Sequence, residues 1–430
     1  MKKFLMLSVI LASGMTAYAG ENEETADVAM ATTSEMSVDA ATYADVATEA
    51  TAQQTLQEVD EKLTTWQKIV AKLPKVSGYL QTGLNWNTAG NGHAAVSFQA
   101  KRLRLILDGT ITDKASFRLQ IEAFNGIAGS TNGNGQKNLQ VMDAFATYKF
   151  SQGFQVRAGQ FYTPVGYENY DISPATLETV DFSNICYRMA CRNAVGYDFV
   201  DYGRDLGVMI MGDVIPNKEK GFNYLSYNLA VTNGHLPAAD DNNKSKDIIA
   251  ALTIRPVKLF NIKLAYNYGE YKPWNPSSPT FMGITNYHPM NRFVVGAWYN
   301  DPNGLDLRAE FGRLIAGKYK NMNYSLNGET VSHDSNRPVD EIGFYVLAAY
   351  RIQSYKWLPV LRYDMYHDRV NRLSLNNYNR GLVGLTYQPH PNIKVQCNYM
   401  LSFYSKDVAD ASNRGRRNSS QLQIMGLFKF

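Results

Sequence analysis

The sequence predicts an all-β protein, a 16-stranded antiparallel transmembrane β-barrel preceded by a short N-terminal periplasmic helix. Three observations carry that expectation. The chain opens on an export signal. From Val76 to its end it alternates polar and apolar residues with a period of two. Its connections alternate between short turns and long polar loops. A strand with one face in lipid and one in water has that period.

Residues 1–19 begin with Met1-Lys2-Lys3, run apolar from Phe4 to Leu11 and reach the small-x-small site Ala17-Tyr18-Ala19. That order is a secretory signal. Its apolar run is too short to cross a bilayer, which takes about 20 residues. No cysteine follows the cleavage site, so no lipoprotein anchor is expected. Residues 20–52 read as an acidic disordered linker. Glu21, Glu23, Glu24, Asp27, Glu35, Asp39, Asp45 and Glu49 stand there without a Lys or Arg, among few large apolar side chains.

The period changes over 53–73. Leu56, Val59, Leu63, Trp66, Val70 and Leu73 alternate spacings of three and four, the seam of a coiled coil, and Pro74 ends the helix. Two readings stay open: a coil made from three copies, or one amphipathic helix packed on the barrel mouth.

The barrel is expected over 75–430. Its strands read at 76–86, 97–108, 114–124, 138–150, 154–161, 203–213, 222–233, 246–256, 260–270, 290–300, 304–316, 339–352, 356–366, 378–388, 391–403 and 419–430. Short turns such as Ser151–Gly153 and Gln353–Tyr355 alternate with long loops at 87–96, 125–137, 162–202, 234–245, 271–289, 317–338, 367–377 and 404–418. Short turns at one end and long loops at the other are the plan of an up-and-down outer-membrane barrel. The dyad is plain in Phe117–Ala123, Val360–Tyr366 and Asn392–Leu401. Such strands satisfy their backbone in a membrane only if the sheet closes, and closure at sixteen strands leaves a water-filled channel. The last strand ends on Phe430, which resembles the C-terminal signal read by barrel-assembly machinery.

Of 43 basic and 39 acidic residues, the signal holds Lys2 and Lys3 and the linker holds the acids named above, so the barrel region is basic. A basic lumen favours anions. The same surplus would also suit loops facing lipopolysaccharide. Cys186 and Cys191 lie in loop 162–202 and could close a disulfide or stay as thiols. Cys397 has lipid-facing parity.

Three stretches resemble segments of a known family. Val76-Ser77-Gly78-Tyr79-Leu80-Gln81 is similar to an opening "sGYlQ" strand. Phe98-Gln99-Ala100-Lys101-Arg102-Leu103-Arg104-Leu105 is similar to a basic "RRaRl" strand. Arg157-Ala158-Gly159-Gln160-Phe161-Tyr162-Thr163-Pro164-Val165-Gly166-Tyr167-Glu168 is similar to "vGqfktPfGlE", and is the most specific. Together they resemble the phosphate-selective porin O and P family over roughly residues 75–430. The resemblance implies a 16-stranded homotrimeric porin whose third outer loop folds inward. It also implies an eyelet of the kind the best-known members line with an arginine ladder that strips water from phosphate. Here that loop is 162–202. It holds Arg188 and Arg192, with Arg204 just beyond, and the acids Glu168, Asp171, Glu178, Asp181, Asp198 and Asp201. Where the family has fifth-loop arginines, loop 271–289 offers only Lys272.

Parity turns Arg102, Arg104, Arg118, Arg157, Lys263, Arg308, Arg362 and Lys394 into the lumen. With Arg188 and Arg192 they are the candidate pore-lining, anion-binding residues, since arginine grips phosphate with two hydrogen bonds. The competing reading makes them halves of local pairs (Arg118 with Glu122, Arg308 with Glu310, Arg362 with Asp364) that solvate a wide pore.

The expected function is passive diffusion of small hydrophilic solutes across a Gram-negative outer membrane, anion-preferring, with phosphate or polyphosphate as candidate solutes. A general non-selective porin is the alternative. Expected partners are outer-membrane lipid and lipopolysaccharide, small anions and two further copies, without nucleic acid or cofactor. No zinc-protease His pair, nucleophile elbow or phosphate-binding loop occurs. A barrel enzyme would need a cluster such as Asp364, His367 and Asp368. An adhesin or scaffold would use the long loops and keep its lumen shut.

Overall fold

The computed structural model describes residues 73–90, 92, 94–124, 139–190, 203–234, 245–271, 288–316, 322–326, 329–333, 339–352, 356–368 and 375–430. The signal, the acidic linker, the helix read at 53–73 (Leu73 excepted), Cys191, Arg192 and Lys272 lie outside them.

The strands are β1 (Lys75–Asn87), β2 (Ala95–Thr112), β3 (Ala115–Glu122), β4 (Gln140–Ser151), β5 (Phe154–Tyr162), β6 (Arg204–Asn217), β7 (Phe222–Thr232), β8 (Asp247–Val257), β9 (Phe260–Tyr271), β10 (His288–Asn300), β11 (Leu305–Ala316), β12 (Met322–Leu326), β13 (Glu329–His333), β14 (Val339–Tyr350), β15 (Trp357–Asp368), β16 (Tyr378–His390), β17 (Ile393–Phe403) and β18 (Asn418–Lys429). All but β12 and β13 form one closed antiparallel barrel of sixteen strands in sequential order.

Closure falls between β1 and β18, in register from Tyr79↔Lys429 to Asn87↔Gln421. Gly78 N–H donates to the Phe430 carbonyl (2.8 Å), and Phe430 N–H donates back to Gly78 (3.0 Å). Phe430 is therefore the last stitch of the seam, and the barrel itself has no free strand edge. Gly78 admits it because a Cβ there would lie 2.6 Å from the Phe430 ring.

Alternation is strict where the barrel is most regular. In β11, Asp306, Arg308, Glu310, Leu314 and Ala316 are buried, while Leu305, Leu307, Phe311 and Ile315 are exposed. β15 and β17 repeat the pattern, and Cys397 is exposed on the outer face. Aromatic pairs gather where strands meet short turns: Tyr148–Phe150 at 4.6 Å, Phe150–Phe154 at 5.2 Å and Trp357–Tyr387 at 4.6 Å. Such rings suit the boundary between lipid and water.

Loop 317–338 contains the two-stranded β12–β13 sheet, and loop 404–418 contains helix α2 (Lys406–Ser412). Local chemistry explains both. Asn327-Gly328 is the dipeptide favoured in two-residue hairpins. Ser405 caps α2 by accepting from Val408 N–H. Two of the expected ion pairs are corrected by register. Asp108 stands directly across from Arg118, and Glu122 from Arg104, so Arg118 pairs with Asp108 and not with Glu122. Arg308 pairs with Asp306 and Glu178 and not with Glu310. Arg362 does pair with Asp364, at 2.7 Å.

Candidate pore constriction

After β5 the chain turns into the barrel. Gly166 takes a positive φ of 77°, open to glycine at little cost, and α1 (Tyr167–Tyr170) follows. Glu310 receives the start of that turn. Its carboxylate accepts from Tyr167 N–H (2.6 Å), Glu168 N–H (3.4 Å) and the Tyr345 hydroxyl (2.9 Å).

The segment from Thr163 to Ala190 then touches strand after strand. Lys263 of β9 pairs with Asp171 (2.5 Å) and Arg308 of β11 with Glu178 (2.6 Å). Arg362 of β15 donates to Thr179 Oγ1 (3.0 Å) and the Asp181 carbonyl (2.8 Å). Lys394 and Gln396 of β17 donate to the Leu177 carbonyl at 2.8 and 3.0 Å, and Asn398 accepts from Val180 N–H at 2.7 Å. Arg102 of β2 donates to the Val180 carbonyl (3.1 Å), and Arg292 of β10 to the Met189 carbonyl (2.6 Å). A segment reaching all these strands lies inside the lumen.

Apolar contacts seat it as well. Ile185 and Met189 pack with Tyr345, Leu347, Val360 and Tyr366. Val165 and Ala190 pack with Phe161, Met209, Ala230 and Val294. The described part of the loop ends in a π-helical turn, Cys186–Ala190, that buries Cys186 and Arg188.

The candidate cations thus divide. Arg102, Arg104, Lys263, Arg308, Arg362 and Lys394 are buried, held by loop carbonyls or by carboxylates. Arg118 and Arg157 keep access to water. Arg118 is 42% exposed beside Asp108, at 2.7 Å. Arg157 is half-buried, bonds the Thr147 hydroxyl (3.1 Å) and lies 4.2 Å over the Phe145 ring. Parity missed Lys101, because a bulge in β2 leaves it between the pairs Gln81↔Arg102 and Thr82↔Ala100. It also passed over two buried pairs, Arg204 with Asp143 (2.8 Å) and Arg292 with Asp247 (3.3 Å). Arg292 alternates with Val294 in β10 and could have been found.

Loop carboxylates respond to their surroundings. Burial, with Glu310 nearby, pushes the Glu168 carboxyl up to about 7, against the pull of Arg362 and Ser183. Burial also works against the charge on Asp181, yet Lys101 and Arg102 outweigh it and hold that carboxyl well below its usual range. Asp364 and Asp368 point inward on β15, while His367 between them points out.

The profile of the phosphate-selective porin O and P family matches residues 81–193. No curated protein matches the sequence. Among solved structures, an anion-selective porin from Comamonas acidovorans aligns at 12% identity and TM-score 0.56, over 83% of this chain and 99% of that one. Salmonella typhi OmpF, solved with daunomycin, aligns at 14% identity and TM-score 0.57, over 83% and 97%. The trimer form of OmpT, an outer membrane protein of Vibrio cholerae, aligns at 12% identity and TM-score 0.50, over 83% and 100%. These likenesses show a shared fold. The resemblance read in the sequence is matched from β1 into the inward loop: over residues 81–193 the chain is similar to the phosphate-selective porin O and P family.

Proposed function

We propose that this protein is an outer-membrane porin through which small hydrophilic solutes diffuse passively, with a mild preference for anions. The observation that carries the reading is the inward loop. It crosses a closed 16-stranded barrel and ties down one part of the wall, while Arg118, Arg157 and the loop's exposed Asp171 and Thr176 keep contact with water. Width then sets the size limit, and the charges left uncovered set the ion preference.

A ladder that dehydrates phosphate needs arginines with donors to spare. Most of the candidate arginines are engaged with loop carbonyls or carboxylates, and Arg157 stands out because its hydrogen bond goes to a hydroxyl. Phosphate in this reading is one permeating anion among several. The trimer form of the Vibrio cholerae OmpT supports three copies as the working assembly.

Single-channel recording in a planar bilayer under a potassium chloride gradient tests the proposal. The expected result is steady current with a reversal potential shifted modestly toward chloride, and no block when phosphate is titrated in. Block at low phosphate would replace general diffusion with a phosphate-binding pore. Folded protein without current would overturn the porin reading.

A further inference from the structure

The β2 bulge makes Lys101 and Arg102 consecutive lumen residues, where a regular strand would turn one of them to lipid. Both aim at one loop carboxylate. Lys101 Nζ lies 2.6 Å from Asp181 Oδ1, and an Arg102 guanidinium nitrogen lies 3.9 Å from the same oxygen. Tyr187 OH (3.2 Å) and Gln423 Nε2 (2.7 Å) donate to the same carboxylate. The cluster sits at the margin of the covered wall. The Lys101 side chain is 16% exposed and that of Asp181 23%, against 3% for Arg102, so water reaches the Lys101–Asp181 pair.

A carboxylate this close to two cations cancels most of the field they would present to a passing ion. Because the strand supplies the cations and the loop supplies the carboxylate, the cancellation lasts only while the loop is seated.

We infer that Asp181 sets the ion selectivity of the channel by masking Lys101 and Arg102 from permeating anions. The inference rests on the porin reading and adds to it a specificity-determining residue on the loop. Asp181 keeps its charge throughout the ordinary pH range, so the mask is constant unless the loop leaves.

The test compares reversal potentials of wild type, Asp181→Asn, Asp181→Glu and Asp181→Asn with Lys101→Gln, each shown to be folded by its heat-modifiable gel mobility. Asp181→Asn should raise the chloride-to-potassium permeability ratio about twofold or more, as an unmasked cation at a constriction does. Asp181→Glu should keep the wild-type ratio. Adding Lys101→Gln to Asp181→Asn should bring the ratio back toward the wild-type value, because one of the two cations that Asp181 masked is then gone. An unchanged ratio in Asp181→Asn overturns the inference. So does a raised ratio that persists undiminished in the double variant, since the gain would then owe nothing to Lys101. Should Asp181→Asn not fold, Asp181→Ser, which removes the charge with a smaller polar side chain, serves the same comparison. Absence of current from folded wild type would strike the porin reading itself, whereas current with an unmoved ratio strikes only the role of Asp181.

Discussion

Arg104 and Glu122 face each other across β2 and β3 at 2.9 Å, with side chains 4% and 0% exposed. Parity alone showed that Arg104 points inward. It did not show that the guanidinium is spent on a buried carboxylate. Breaking such a pair leaves an uncompensated buried charge, at about 3–5 kcal/mol. Arg104→Glu should therefore lower the folded fraction in urea titration before it reports on ion selectivity. Glu168 makes a different residue-scale prediction. Its carboxyl is raised to about 7 in the seated loop and returns toward its ordinary 4.5 once released into water. The seated form then holds its proton more tightly, so its contribution is complete below pH 4.5 and is lost as pH rises through 7. Amides of residues 167–183 should exchange faster at pH 8 than at pH 5 after correction for intrinsic rates. Glu168→Gln should flatten that difference.

At the scale of elements, the sixteen barrel strands were legible to within a few residues, because each carries its own period of two and each turn its own length class. Several features escaped, among them three outside the inward loop. The β12–β13 hairpin lies in a stretch whose sequence is polar and shows no sustained dyad. Helix α2 depends on a Ser405 cap that is easily passed over in a loop. The Lys101 bulge is a pairing event between two strands, invisible in either strand alone. The seam is the element most open to test. Deleting Phe430 removes both backbone hydrogen bonds to Gly78, worth roughly 0.5–1.5 kcal/mol each. Gly78→Val would drive side-chain atoms into the Phe430 ring. Both variants should reduce the heat-modifiable folded band on refolding, Gly78→Val more strongly because it also meets the Arg104 carbonyl at 2.4 Å.

For the molecule as a whole, the porin proposed above would take its ion preference from charges the loop leaves uncovered. Arg157→Glu should lower the chloride-to-potassium permeability ratio about two- to fivefold while single-channel conductance stays within the same order. Arg118→Glu should do less to the ratio, because it also sets two carboxylates facing each other at Asp108. Reversal potentials in a salt gradient check both. An unmoved ratio in Arg157→Glu would place the narrow part of the pore elsewhere.

The sequence by itself determined the barrel, its strand count, its inward and outward faces and the loop that enters it. The first three follow from local periodicity and from the rule that a backbone in lipid must pair with itself, and the inward loop from the resemblance carried by residues 157–168. Only the tertiary structure decided which lumen cations remain available to solute. That depends on which carboxylates and carbonyls a loop more than twenty residues long lays against strands far from it in the chain, as when Lys394 meets Leu177 or Gln423 meets Asp181. Parity names the face a side chain occupies. Long-range packing decides whether anything is left for an ion to find there.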